Sequence, residues 1–98
     1  MTINKTQNGN SMTVAIKGRL DTTTAPQLEA ELKSSLDGIA ELTMDLSTLE
    51  YISSAGLRVL LSAQKIINKQ GEMKVAGANE TVMEVFEVTG FSDILNIV

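Results

Sequence analysis

The chain is short, acidic on balance and free of cysteine and histidine: it has 98 residues, 43% of them hydrophobic, and a formal net charge of −4. The missing Cys and His exclude disulfides, thiolate or imidazole metal sites, and every catalytic dyad or triad built on those side chains. The negative charge, with one Tyr, two Phe and no Trp, disfavours nucleic acid as a partner.

The sequence contains no candidate for a membrane span or a secretion signal. No apolar run approaches the roughly 20 residues that a spanning helix needs, and the polar start 1–5 lacks the apolar core of a signal peptide. We therefore expect a soluble, cytoplasmic protein without a membrane partner. The length fits one domain, which we expect to occupy residues 1–98.

An N-terminal β-hairpin is the first predicted element. Residues 12–17 alternate between apolar and other side chains, which is typical of a strand with one buried face. Residues 3–6 are predicted to pair with them, and the intervening Asn8-Gly9 pair suits the positive φ angles of a tight turn.

Two helices and the strand between them are predicted next. Pro26 suits a first helical turn and leucines then recur every fourth residue, which predicts a helix over 25–37 with Gly38 as its C-terminal cap. Alternation from Glu41 predicts a strand that ends near residues 45–47. The apolar stretch 54–69 predicts a nearly buried helix whose polar stripe is Ser54, Arg58, Ser62, Lys65 and Lys69.

The C-terminal third is predicted to add a strand, a helix and a last strand. The strand covers 72–76, the helix begins at Asn79-Glu80 and stops at Gly90, and residues 93–98 form the last strand. The predicted order β-β-α-β-α-β-α-β indicates an α/β fold with a central mixed sheet and helices packed against it.

Two turns between a strand and a helix are the candidate functional positions, because helix N-termini present free N–H groups there. They are Gly18-Arg19-Leu20-Asp21 and the segment 51–57. In the second turn Ser53 is a good N-cap, since a serine oxygen accepts an N–H of the first turn and adds about 1 kcal/mol. Ser54, one residue further, is expected to face solvent one turn from Arg58.

These two turns carry a resemblance to a known family. The segment 45–61, Asp-Leu-Ser-Thr-Leu-Glu-Tyr-Ile-Ser-Ser-Ala-Gly-Leu-Arg-Val-Leu-Leu, resembles the strand, loop and helix signature of bacterial anti-sigma factor antagonists, which are STAS domain proteins. Gly18-x-Leu20-Asp21 is similar to their other characteristic turn. The likeness extends to Gly90-Phe91 and the chain end, and therefore implies one STAS-type α/β domain.

The resemblance also implies a function, a partner and a modification site. A family member binds an anti-sigma factor that is itself a serine kinase, and is inactivated when that kinase phosphorylates a serine at the start of the helix. Here that serine is Ser54, or Ser53 if the alignment shifts by one position. A PP2C-type phosphatase that reverses the reaction is also implied. The sequence departs from the family at Ser53, where Asp is usual, and at Ala55, where Ser is usual.

Six residues are expected to take part in partner binding, and no cofactor or metal is expected. They are Asp21, Thr22, Ser53, Ser54, Gly56 and Arg58. Asp21 has an alternative role as a cap of the following helix. Arg58 has the i to i+4 spacing that lets it reach a phosphate on Ser54.

Other functions fit the sequence less well. A receiver-like phospho-acceptor at Asp45 would need a pocket of several acids, which the sequence does not offer, and we expect no enzyme. The tail domain of an anion transporter is disfavoured by the lack of a membrane segment. The main alternative keeps the fold: a STAS scaffold or sensor module that binds a protein or small ligand without being a kinase substrate.

Overall fold

Four strands form one mixed sheet in the computed structural model, which describes residues 1–98. The strands are β1 (Thr2–Asn8), β2 (Ser11–Leu20), β3 (Glu41–Ile52) and β4 (Glu72–Ala76). They lie in the order β1-β2-β3-β4; β1 is antiparallel to β2, whereas β2, β3 and β4 are parallel. The carboxyl ends of the three parallel strands therefore meet at one edge of the sheet.

Three α-helices and one 3₁₀ helix follow the strands. They are α1 (Ala25–Ser35), α2 (Ser54–Asn68), α3 (Glu80–Thr89) and the 3₁₀ helix Phe91–Asp93. Helix α2 is the longest, and seven of its 15 residues are buried, so the predicted helix is present but is less completely buried than expected.

The helices leave one face of the sheet uncovered. Along β2, Met12, Val14 and Ile16 are buried, whereas Thr13 and Lys17 between them are exposed. The strand register places the buried residues of β3 beside those of β2, and the buried residues of β4 beside those of β3. One sheet face thus joins the helices in a single apolar core of 24 residues, and the other face is polar.

The N-terminal hairpin is confirmed, with its turn one residue later than the motif indicates. Asn8 pairs with Ser11, so the two-residue loop is Gly9-Asn10, and Gly9 has a φ of 63°. A glycine at the first central position is one of the two common solutions for a two-residue hairpin loop.

Strand β3 is longer than predicted. The prediction ended it near residues 45–47, but it continues to Ile52 through two register shifts against β2. The buried positions at this end, Leu46, Leu49 and Ile52, are spaced by three rather than two. An extra residue in one strand breaks the period of two, which hides the continuation from a search for alternation.

Two further predictions are wrong at element ends. The predicted last strand over 93–98 is absent: Gly90, in the left-handed region, leads into the 3₁₀ helix, and afterwards only Val75 and Ile97 form an isolated parallel bridge. Polar Asp93 and Asn96 interrupt the apolar run there. Helix α1 ends at Ser35, so Gly38 shapes the loop rather than capping the helix.

Candidate functional site

The two turns of the sequence motif lie side by side at the carboxyl edge of the sheet. Leu20, the last residue of β2, pairs with Ile52, the last residue of β3. Directly beyond this pair the backbone N–H of Ser53 donates a hydrogen bond of 2.9 Å to the carbonyl oxygen of Leu20. The start of α2 is therefore fixed to the turn that leads into α1.

The turn between β2 and α1 is held by side chains of its own. The Asp21 carboxylate accepts hydrogen bonds from the backbone N–H groups of Thr23 and Thr24, at 3.0 and 3.1 Å. The Thr24 hydroxyl donates to the Arg19 carbonyl and accepts from the Asp21 N–H, both at 2.9 Å. This network leaves Thr22 and Thr23 exposed.

The network also affects the pKa of Asp21. The hydrogen bond from the Thr24 N–H is the main cause that lowers the pKa of Asp21 below its ordinary value. Thr24, which begins α1, makes no side-chain capping bond. The Asp21 carboxylate therefore has a structural role within its own segment. It stabilises the turn before α1 rather than the first turn of the helix itself.

Arg19 connects this turn with the end of β3. Its guanidinium lies 4.4 Å from the centre of the Tyr51 ring, and its Nε lies 4.0 Å from an Asp21 carboxylate oxygen. A guanidinium over an aromatic face within about 6 Å is attracted by the ring quadrupole. Arg19 therefore bridges the two turns on the outer side of the edge.

The two adjacent serines at the start of α2 have different roles. Ser53 is the N-cap in extended conformation, and its hydroxyl accepts the Gly56 N–H at 3.4 Å, which confirms the predicted cap. Ser54 is the first helical residue and is exposed, as is Arg58 one turn later. The structure thus places Ser54 and Arg58 on the same outer face of α2.

Gly56 has a packing role. It is buried, and a Cβ atom at this position would lie 2.7 Å from Leu20 Cγ and 2.9 Å from Ile52 Cγ1. These distances are shorter than any ordinary contact, so only glycine lets the helix approach the strand ends this closely. Because Gly56 allows this close approach, it determines where the neighbouring Ser53 and Ser54 lie relative to the sheet.

An open depression lies between the first turns of α1 and α2 and brings the two halves of the site together. It has a volume of about 200 Å³ and includes Thr22 from one turn and Arg58 from the other. The remaining lining residues are Ala25, Pro26, Glu29, Ala55 and Val59. Small and apolar side chains at its floor, with polar ones at its rim, make this a surface that a partner can contact.

Sequence reasoning missed the residues that connect the two turns. Arg19 lies inside the quoted motif, but its stacking on Tyr51 depends on the strand register, which the shifted β3 conceals. Thr24 is one of a run of threonines. Among them, only its side chain closes the turn network, and no local pattern distinguishes it.

The comparison with known proteins gives a family. The family model described as STAS domain matches residues 2–98. The protein BtrV of Bordetella bronchiseptica is 43% identical over 84 residues, which are 84% of this chain and 72% of BtrV. The anti-sigma-B factor antagonist of Bacillus subtilis is 34% identical over 92 residues, 93% of this chain and 84% of that protein.

Solved structures show the same fold. An anti-sigma factor antagonist from Mycobacterium paratuberculosis superposes with a TM-score of 0.88 at 24% identity, over 98% of this chain and 83% of the other. The phosphorylated form of the Bacillus cell fate determinant SpoIIAA has a TM-score of 0.77 at 14% identity, over 99% and 91%. None of the helices of the present chain is both long and apolar enough to cross a membrane.

Proposed function

This chain belongs to the STAS domain family, and from that premise we propose that it is an anti-sigma factor antagonist that phosphorylation of Ser54 inactivates. Acting as one STAS domain over residues 1–98, it binds an anti-sigma factor with serine kinase activity and thereby releases a sigma factor. A PP2C-type phosphatase restores the binding form. The protein acts by binding, not by catalysis. The name of the relative in Bacillus subtilis supports the general role.

The observation that carries the proposal is the difference between the two serines. The Ser53 hydroxyl is engaged with the Gly56 N–H, whereas Ser54 is exposed at the first position of α2. A kinase needs an accessible hydroxyl, and Ser54 offers one without the loss of a helix cap. The structural neighbour SpoIIAA has been solved in a phosphorylated form, which supports phosphorylation as the regulatory chemistry here.

The helix tolerates a phosphate at this position. A phosphoserine carries about −1.5 to −2 charges at pH 7, and the positive end of a helix dipole favours an anion by several tenths of a kcal/mol. The first turn of α2 contains no acidic residue that would oppose it. The modified protein therefore stays folded, and Arg58 lies on the same helix face one turn away.

Inactivation then follows from the charge at the contact surface. A dianion that is buried against a closely packed partner without a matching cation costs several kcal/mol. A loss of about 3 kcal/mol weakens binding more than a hundredfold. The switch therefore requires no rearrangement of the fold, only the new charge beside the depression that Thr22 and Arg58 line.

Mass spectrometry of the protein after incubation with its kinase-type anti-sigma factor and ATP tests the proposal. We expect one added phosphate, mapped to Ser54, that disappears in Ser54→Ala and persists in Ser53→Ala. Ser92→Ala, which removes a serine of the 3₁₀ helix, is the control and is phosphorylated like the wild type.

Two results contradict the proposal in different ways. A phosphate that disappears only in Ser53→Ala moves the site by one residue. An unmodified wild type, in the presence of a partner shown to be an active kinase, supports instead a STAS scaffold or sensor that is not a kinase substrate.

A further inference from the structure

The end of β3 that leads to Ser54 has a neighbouring strand on one side only. The pairing of β3 with β4 stops at Asp45, whereas its pairing with β2 continues to Ile52, the last residue of the strand. Residues 46–52, which we call the half-paired segment, therefore leave one side of their backbone without a strand partner. Ser54 begins α2 two residues after this segment, so the position of the segment determines where the candidate phospho-acceptor lies.

Asn79 contacts the half-paired segment on the side where β4 has ended. It lies between β4 and α3, and its Nδ2 donates a hydrogen bond of 3.0 Å to the carbonyl oxygen of Leu49. No other side chain from outside β3 makes a hydrogen bond to the backbone of the segment. The loop before Asn79 also approaches closely, since a Cβ atom on Gly77 would lie 2.9 Å from Ser47 Cβ. This loop therefore supports the segment where no strand does.

The same Asn79 side chain is the N-cap of α3, which anchors it. Its Oδ1 accepts a hydrogen bond of 2.8 Å from the Val82 N–H, and Val82 and Phe86 of this helix are fully buried in the core. Both ends of the amide are thus engaged, and the reversed amide would face a donor with its nitrogen and an acceptor with its oxygen. Asn is the preferred cap residue that has an acceptor oxygen and a separate donor nitrogen.

The path from Leu49 to the phospho-acceptor is short and well fixed. The side chains of Leu49 and Ile52 are buried, and the Ser53 N–H is bonded to the Leu20 carbonyl at 2.9 Å. Strand β2 thus holds the segment on one side and Asn79 holds it on the other. A shift of Leu49 after loss of the Asn79 bond is therefore passed on to the start of α2.

We propose that Asn79 is a positioning residue for the phosphorylation of Ser54, because it links α3 to the half-paired segment and so holds the acceptor hydroxyl in place. This inference rests on the proposed function and adds a residue that lies outside both motif turns. Positioning matters for this chemistry, since a misplacement of about 1 Å by a distant substitution can lower a rate by about a hundredfold. Asn79 itself takes no part in the transfer.

Two substitutions separate the bond to Leu49 from the helix cap. Asn79→Asp and Asn79→Ser both keep an oxygen that can cap α3, but Asp has no donor, and the Ser side chain is too short to reach both partners. Thr89→Ala is the matched control, because it removes a bond of 2.6 Å from a side-chain hydroxyl to the Val85 carbonyl at the other end of α3. Circular dichroism establishes that the three variants are folded.

The kinetics of phosphorylation by the kinase-type anti-sigma factor and ATP are then measured for each variant. We expect kcat to fall about fivefold in Asn79→Asp and Asn79→Ser, the loss typical of one hydrogen bond. We expect KM to stay within about twofold of the wild type, because the contact surface is unchanged and only the placement of the hydroxyl differs. Thr89→Ala should match the wild type in both constants.

Amide hydrogen exchange of the protein alone provides a second measurement that needs no kinase. The Ser53 N–H is protected by its bond to the Leu20 carbonyl, and exchange reports the local opening of such bonds. We expect Ser53 to exchange faster in Asn79→Ser than in the wild type and in Thr89→Ala. Equal exchange in all three proteins would show that Asn79 does not hold the end of β3, and would overturn the inference.

The kinetic outcomes distinguish this inference from the proposed function. An unchanged kcat in both Asn79 variants, with Ser54 phosphorylated as in the wild type, overturns the inference and leaves the proposed function intact. An equal loss in Thr89→Ala also overturns it, because the effect would then come from the stability of α3. A wild type that an active kinase does not modify overturns both.

Discussion

Arg19 stacks on the ring of Tyr51 with 4.4 Å between the guanidinium carbon and the ring centre. The two residues are cross-strand partners at the end of β2 and β3, one step before Leu20 and Ile52. The contact therefore ties together the two strands from which both motif turns emerge, on the side of the sheet away from the core.

Loss of this contact is expected to destabilise the edge. Arg19→Ala and Tyr51→Leu should each lower the free energy of unfolding by about 0.5–1 kcal/mol, the usual worth of an exposed cation–π pair. Urea denaturation of the two single variants and the double variant measures the coupling. Lys17→Ala, on the same strand and also exposed, should have a smaller effect. Fully additive losses would show that the stacking contributes nothing.

The two serines are expected to differ in stability as well as in modification. Ser53→Ala removes the N-cap of α2 and should lower the free energy of unfolding by about 1 kcal/mol. Ser54→Ala changes an exposed residue and should stay within about 0.5 kcal/mol of the wild type. Thermal or urea unfolding of both variants decides this, and equal losses would contradict the assignment of Ser53 as the cap.

Gly56→Ala is expected to destabilise the protein, although alanine is the better helix former by about 1 kcal/mol. The new Cβ would lie 2.7 Å from the buried Leu20 side chain, and overpacking of this kind costs about 1–3 kcal/mol. We expect a net loss of about 1–2 kcal/mol in urea unfolding, together with weaker partner binding because the start of α2 is displaced. A variant more stable than the wild type would rule out the close approach.

Acid stability is expected to depend on Asp21. Its pKa is lowered in the folded protein, chiefly by the hydrogen bond from the Thr24 N–H. Its contribution is therefore complete above the unfolded value of about 3.9 and is lost as pH falls through the lowered folded value. Asp21→Asn should have a shallower fall in stability between about pH 5 and pH 3. Asp37→Asn, beyond the end of α1, is the control, and identical curves for Asp21→Asn and wild type would contradict the prediction.

The elements with strong local signals were predictable from the sequence, whereas features set by strand register were not. The hairpin turn, Pro26 at the start of α1 and the serine cap of α2 each have a local chemical cause, and all three appear in the structure. Register shifts in β3 alter the spacing of its buried residues, so its true length was hidden. The apolar tail 93–98 lacked pairing partners beyond a single bridge.

The candidate site was likewise predictable where its residues are close in sequence and not where they come from distant elements. The two motifs, 18–21 and 45–61, indicated where Asp21, Ser54 and Arg58 are, because each motif is continuous in sequence. The contact of Arg19 with Tyr51 and the depression between the first turns of α1 and α2 arise between elements that are distant along the chain. Only the packing of those elements reveals them.

The hydrogen bond from the Ser53 N–H to the Leu20 carbonyl has a consequence for how the protein is made. Its two residues are more than thirty positions apart along the chain, and such non-local pairing forms late because loop closure must come first. A nascent chain whose β3 is still inside the ribosome has no such edge at all. Only molecules in which both strands have been made and paired carry the edge at which the two motif turns meet.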